Sequence, residues 1–235
     1  MMFAFFLCII NKHIPTNGLK GESLRQKLKR EYSAHTAFSY KTARVYMYND
    51  IDCTDGQMFL MYSGTTYPWK CGRTTLPSGS VNCEHSVPQS FFNKEKPMVS
   101  DIHHLYPSAS KINNARSNYP FVEVDYSECK KFCRDMDCTT SMPSNPDEYS
   151  CLVNGNKFMP RLEDRGELAR GILYFYTMYD SYDMSRVGDL QTFLKWNREH
   201  PPTQREITRN DRINQTQGNR NPYVDDYTLA DQAWA

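Results

Sequence analysis

Neither positive nor negative charge predominates in this chain: 28 basic side chains face 27 acidic ones, for a formal net charge of +1. That balance excludes a global field that would steer it onto a polyanion, so any nucleic-acid footprint must be local. Long hydrophobic runs are missing as well. Only Met1 to Ile10 is wholly apolar, and ten residues span about 15 Å as a helix, against a bilayer core of roughly 30 Å. No other run is long enough for a helical membrane span, so a soluble mature protein is expected. Repeats, low-complexity tracts and paired Cys-x2-Cys knuckles are absent too, and with them the strong signals for repeat arrays and zinc fingers. What remains is 235 residues, 13% of them aromatic, enough for one sizeable core and a single domain.

The apolar start has the length of a secretion-signal core, although no basic segment precedes it and no small-x-small cleavage site is obvious. Residues 1–18 are expected to be a signal peptide and 19–235 the mature domain; a buried N-terminal strand or helix is the alternative. Cysteine content points to the same compartment. Beyond Cys8 the chain holds Cys53, Cys71, Cys83, Cys129, Cys133, Cys138 and Cys151. Disulfides are expected to staple the Cys129–Cys151 stretch, because its Cys-x3-Cys-x4-Cys spacing is poor for a structural zinc. An odd number of cysteines leaves one thiol free once the signal is removed, and spacing alone does not give the connectivity.

Along the chain, Leu24 and Leu28 at i, i+4 mark an amphipathic helix over residues 21–32. Residues 39–48 are expected to form a second helix, 57–62 a short strand entering a turn, and 81–87 a strand presenting Glu84 and His85. Pro107 would sit in the first turn of a helix whose body is 108–117. Residues 127–160 are expected to be a long cysteine-rich loop or insertion. Helices are expected over 165–182 and 190–198, and the polar tail from Pro201 as extended chain wrapping the body. The fold class is α+β, with more helix than strand.

The segment from Cys83 to Phe121 carries the chemistry. It sets Glu84 beside His85, then His103 and His104, then Asn113, Arg116 and Ser117 at i, i+3, i+4 on one helix face. Hydrolysis of a phosphodiester needs a base for water, charge stabilisation on the phosphate, and help for the leaving oxygen. A neutral imidazole is the side chain best poised for the first. A divalent cation can supply the other two, and magnesium or calcium prefers oxygen donors such as Glu84 and Asn113. Because neighbouring strand residues point to opposite faces, Glu84 and His85 should approach a phosphate from different sides unless the strand breaks there. His103 and His104 are expected to be structural. A Cys83–His85 thiol hydrolase is a weaker alternative, since near neighbours rarely form such a pair.

These blocks resemble the endonuclease I family of secreted His-Me finger (ββα-metal) nucleases. The resemblance rests on Glu84-His85-x-x-Pro88-Gln89-Ser90, Ser100-Asp101-x-His103-His104-Leu105-x-Pro107, Asn113-x-x-Arg116-Ser117-Asn118-Tyr119-Pro120, Arg165-Gly166-x-x-Ala169-Arg170, and Arg209-Asn210-Asp211 through Gln217-Gly218-Asn219-Arg220-Asn221-Pro222. It spans roughly residues 20–226. The resemblance implies a single, mostly helical domain around a ββα-metal core. It also implies Mg2+-dependent cleavage (Ca2+ or Mn2+ as substitutes) of DNA, and often RNA, with little sequence preference and 5′-phosphate products. On it His85 is the general base, Glu84 and Asn113 the metal ligands, and Arg170 and Arg220 phosphate-side or structural arginines, while Arg116, sharing the Asn113 face, is the candidate phosphate-pairing guanidinium. A monomer, secreted or periplasmic, is expected. Two departures stand out: residues 91–99 offer Lys94 and Lys96 where some members place an arginine, and the Cys129–Cys151 stretch has no place in the general pattern. A non-catalytic nucleic-acid-binding relative is the alternative function.

Overall fold

Leu24 and Leu28 lose all contact with solvent beneath α1 (Gly21–Tyr32), as their spacing predicts. This computed structural model describes residues 13–154 and 156–235; Met1 to Ile10 and most of the expected signal lie outside them. Of that segment, Ile14 is described, and it packs into the main core. Ser39 caps α2 (Tyr40–Tyr46), its hydroxyl accepting the Thr42 amide at 3.1 Å. The chain then widens into a π-helical turn, Met47–Ile51, closed by the Asp52 amide donating to the Met47 carbonyl at 2.9 Å.

Three short antiparallel strands follow: β1 (Cys53–Thr54), β2 (Gln57–Phe59) and β3 (Thr66–Pro68). A Cys53–Cys71 disulfide closes this hairpin region. Next, β4 (Val81–His85) pairs antiparallel with β5 (Leu105–Ala109), setting Glu84 opposite Tyr106 and His85 opposite Leu105. The chain runs straight from β5 into α3 (Ser110–Arg116), giving two antiparallel strands and a helix in sequence. Pro107 is therefore in a strand, not in a first helical turn. Its carbonyl points out of the β4–β5 pair and accepts the Met61 amide at 2.8 Å. A strand residue directs its N and its C=O to the same edge, so the ring takes a position where β4 requires no N–H.

Residues 127–160 are not a loop. They build a four-stranded antiparallel sheet in the order β7-β6-β8-β9 from β6 (Cys129–Arg134), β7 (Asp137–Thr139), β8 (Ser150–Val153) and β9 (Lys157–Met159). Disulfides Cys129–Cys151 and Cys133–Cys138 tie β6 to its two neighbours. Phe132, Val153 and Met159 give the sheet a small core of its own.

The centre of the molecule is α4 (Arg165–Met178), buried along its whole length, against which α5 (Leu190–Glu199) packs. The tail departs from the extended chain expected. It forms α6 (Gln204–Gln217), then the short α7 (Pro222–Asp225) and α8 (Leu229–Ala233). Thr203 caps α6 by accepting the Glu206 amide at 3.3 Å, and Gly218 ends it in the left-handed region at φ 96°. Polar residues carry this helix because its buried face is hydrogen-bonded: Arg209 Nε donates to Asp52 at 2.8 Å. The whole is mixed α+β with helix exceeding strand, and one main apolar cluster runs from Ile14 to Ala233.

Candidate active site

The strand β4 ends on Glu84 and His85, and the alternation of a strand sends them to opposite sides. Glu84 is 2% exposed. Its Oε1 accepts the Tyr62 hydroxyl at 2.8 Å and lies 3.3 Å from Arg116 Nε. Burial raises its pKa; Arg116, the Tyr62 hydroxyl and the His85 amide pull the other way and do not fully offset it. The carboxylate is thus buried with one guanidinium beside it.

Asn113 reaches the same face from α3. Its Nδ2 donates to Asn82 Oδ1 at 2.8 Å and to the Cys83 carbonyl at 3.4 Å. A carbonyl can only accept, which fixes the amide with nitrogen toward β4 and Oδ1 turned away from these partners. Glu84 and Asn113 thus offer a carboxylate and an amide oxygen from adjoining elements. A carboxylate and an amide oxygen are the donor types that a hard divalent cation takes.

His85 lies on the other side, between the rings of Tyr40 at 5.4 Å, His104 at 5.5 Å and Phe92 at 6.4 Å. Its Nε2 faces the Val99 carbonyl at 3.3 Å. That contact requires Nε2 to carry the proton, leaving the lone pair on Nδ1. Burial above all drives the imidazole pKa down to about 3, with His104, Arg116 and Arg44 pushing the same way. The ring is accordingly neutral across the physiological range.

The arginines are placed differently from the phosphate-facing option. Arg116 is buried, donating to the Ser117 carbonyl at 2.8 Å and the Ser86 carbonyl at 3.0 Å, and lying over the Phe121 ring. Arg170 is buried against Glu206, with Nε–Oε1 at 2.6 Å and Nη2–Oε2 at 2.5 Å. Arg220 pairs with Asp225 and Asp211 at 2.6 and 2.7 Å. Arg116 is thus brought to Glu84, and Asn113 to Asn82 and the Cys83 carbonyl on the same strand; Arg170 and Arg220 are held by internal carboxylates. His103 and His104 donate from Nε2 to the carbonyls of Asn219 and Met98 at 3.2 and 2.7 Å, the structural role expected of them.

Burial pushes the Cys83 thiol up to about 12, and His85 makes no hydrogen bond to it. A thiol kept protonated is a poor nucleophile, so the thiol-hydrolase alternative loses its chemistry. Two partners escaped notice in the sequence. The Val99 carbonyl that sets the His85 tautomer is backbone and has no side-chain signature, and Tyr62 sits in an ordinary Tyr-Ser-Gly turn. A recess of about 350 Å³ lined by Asp52, Phe59, Arg205, Arg209 and Arg212 lies away from these groups. Its arginines are committed to Asp52, Glu167 and backbone carbonyls.

Residues 20–228 match the sequence model of the Endonuclease I family. The chain is 27% identical over 242 aligned positions to an extracellular ribonuclease of Bacillus amyloliquefaciens, covering 93% of this chain and 76% of that protein. It is 28% identical over 152 positions to a periplasmic deoxyribonuclease of Aeromonas hydrophila, covering 63% and 54% respectively. It is also 28% identical over 160 positions, 66% and 54%, to an endonuclease-1 of Buchnera aphidicola subsp. Baizongia pistaciae.

Proposed function

The chain belongs to the endonuclease I family and is a nuclease; from that premise we propose an exported, Mg2+-dependent enzyme that hydrolyses both DNA and RNA. Cleavage has little sequence preference and leaves 5′-phosphates. Relatives with names of both kinds support the pair of substrates, and their extracellular or periplasmic naming, with three disulfides here, supports export. We assign β4, β5 and α3 as the His-Me finger core; their order and antiparallel pairing support that assignment.

The observation that carries the reading is His85, neutral and fixed as the Nε2–H tautomer by Val99, with its Nδ1 lone pair free, one residue from a buried carboxylate. Nδ1 takes the proton of the attacking water, and the Val99 carbonyl stabilises the imidazolium that results. Glu84 and the Asn113 Oδ1 hold the cation, with Tyr62 and Arg116 keeping the carboxylate in place. Bound there, Mg2+ supplies Lewis-acid stabilisation of the charge on the phosphate and on the leaving oxygen. Supercoiled plasmid and a folded RNA, each incubated with the protein and Mg2+, test the reading. Nicking and RNA loss that stop with EDTA are expected. Cleavage indifferent to EDTA, or none between pH 6 and 9, overturns it.

A further inference from the structure

Guanidinium groups in this molecule are mostly committed to internal partners. Arg116 lies against Glu84 and two carbonyls, Arg170 against Glu206, Arg209 against Asp52, and Arg220 against Asp211 and Asp225. Arg44 differs. It stands in the last turn of α2, its guanidinium 4.3 Å over the ring of Tyr40. The same tyrosine ring lies 5.4 Å from the His85 imidazole on its other contact. The helix packs on Met98–Ser100, the segment that supplies the Val99 carbonyl to His85. Among the described residues Arg44 forms no ion pair, and its Nε is buried without a hydrogen-bond partner. The side chain is only half-buried, so its Nη end can meet solvent or a ligand.

An arginine held on an aromatic face, with a buried N–H unused, is organised for an anion it does not find within the protein. Its planar fork suits the non-bridging oxygens of a phosphate. The neighbouring segment, residues 86–99, offers Lys94 and Lys96 and no arginine, and a lysine binds phosphate as a point charge without that fork. Electrostatics agree with the placement, since the Arg44 charge bears on His85, Tyr40 and Cys83 alike.

We propose that Arg44 is a substrate-binding residue that donates to a backbone phosphate of the strand held at His85, with Tyr40 fixing the guanidinium plane. This rests on the nuclease reading of that site. The contact is to phosphate and carries no base readout, so it applies equally to DNA and RNA.

Binding of a labelled duplex to the His85→Ala protein, followed by anisotropy between about 50 and 200 mM salt, separates the contact from the chemistry. Adding Arg44→Met keeps an apolar stem on Tyr40 and removes the charge. It is expected to weaken binding about tenfold at low salt, the loss of one charge-assisted contact. It should also flatten the log–log salt slope by about 0.9, one phosphate's share. Arg44→Lys should retain the slope. An unchanged affinity and slope in Arg44→Met overturns the proposal, and does so even where wild-type cleavage confirms the nuclease. If Arg44→Met does not fold, peptide mapping after phenylglyoxal treatment of the wild-type chain in EDTA decides. Bound DNA should shield Arg44 from modification, and equal modification with and without DNA overturns the contact. A wild-type chain that binds DNA but never cleaves it would instead strike the nuclease reading alone.

Discussion

Arg170→Ala should unfold this protein more readily while leaving its salt-dependent DNA binding alone. Arg170 sits on the central helix, 1% exposed, with both Glu206 oxygens within 2.6 Å and the His200 carbonyl at 2.8 Å. Truncation leaves the Glu206 carboxylate buried without its counter-charge, a change that costs about 3–5 kcal/mol. With a urea m-value of roughly 2–3 kcal/mol/M for a chain of this size, the midpoint should fall by about 1–2.5 M. Arg170→Met with Glu206→Gln removes both charges and should recover much of the loss, because the penalty lies in the unpaired charge and not in a missing attraction. Urea titration followed by far-UV circular dichroism measures all three. A midpoint unchanged in Arg170→Ala, together with a flattened salt slope for DNA, would contradict the structural role and return Arg170 to the substrate.

Reduction should lower stability by about 2–5 kcal/mol per native bridge, and alkylation of the half-buried Cys83 should be slow in the native protein, its thiol being held protonated, and fast after unfolding; equally rapid labelling of the native and unfolded chains would contradict that raised pKa. Acid should destabilise the fold through His103, whose imidazole burial holds at about 4 despite Asp101. Its folded pKa is below the unfolded value of about 6.5, so this stability is complete above that pH. It is lost as pH falls through the window, at up to about 1.4 kcal/mol per unit. His103→Gln should show a shallower acid slope in urea midpoints between pH 7 and 4.5, and an identical slope would count against it. Glu84→Ala and Asn113→Ala should each raise the Mg2+ concentration for half-maximal cleavage, and zinc should serve poorly at an all-oxygen site; strong zinc activation would point to imidazole ligands.

Periodicity made α1 legible, since Leu24 and Leu28 bury one stripe and nothing else competes. Residues 127–160 were illegible as strands because cysteines, prolines and lysines mask the alternation, and the bridges supply part of what apolar residues would otherwise provide. The helix α6 was announced by Thr203-x-x-Glu206 and Gly218, but its buried face is arginine and asparagine, which hydropathy reads as solvent-exposed. Pro107 misleads because a strand edge excuses its missing N–H as well as a helix start does. At the site, the strand that carries Glu84 and His85 and the helix that carries Asn113 were legible in the local sequence. The fate of each arginine did not. Arg116 and Arg170 find carboxylates far away in sequence, and Arg44, which finds none among the described residues, has no motif to mark it.

Cleavage by this protein depends on the Nδ1 lone pair of His85. Initial rates of plasmid nicking by His85→Ala at saturating Mg2+ test it most directly, beside a binding isotherm for the same DNA. A fall of roughly 10²–10⁴-fold with affinity retained is predicted, the range for losing a positioned general base. Turnover within a few-fold of the wild-type chain would contradict the assignment.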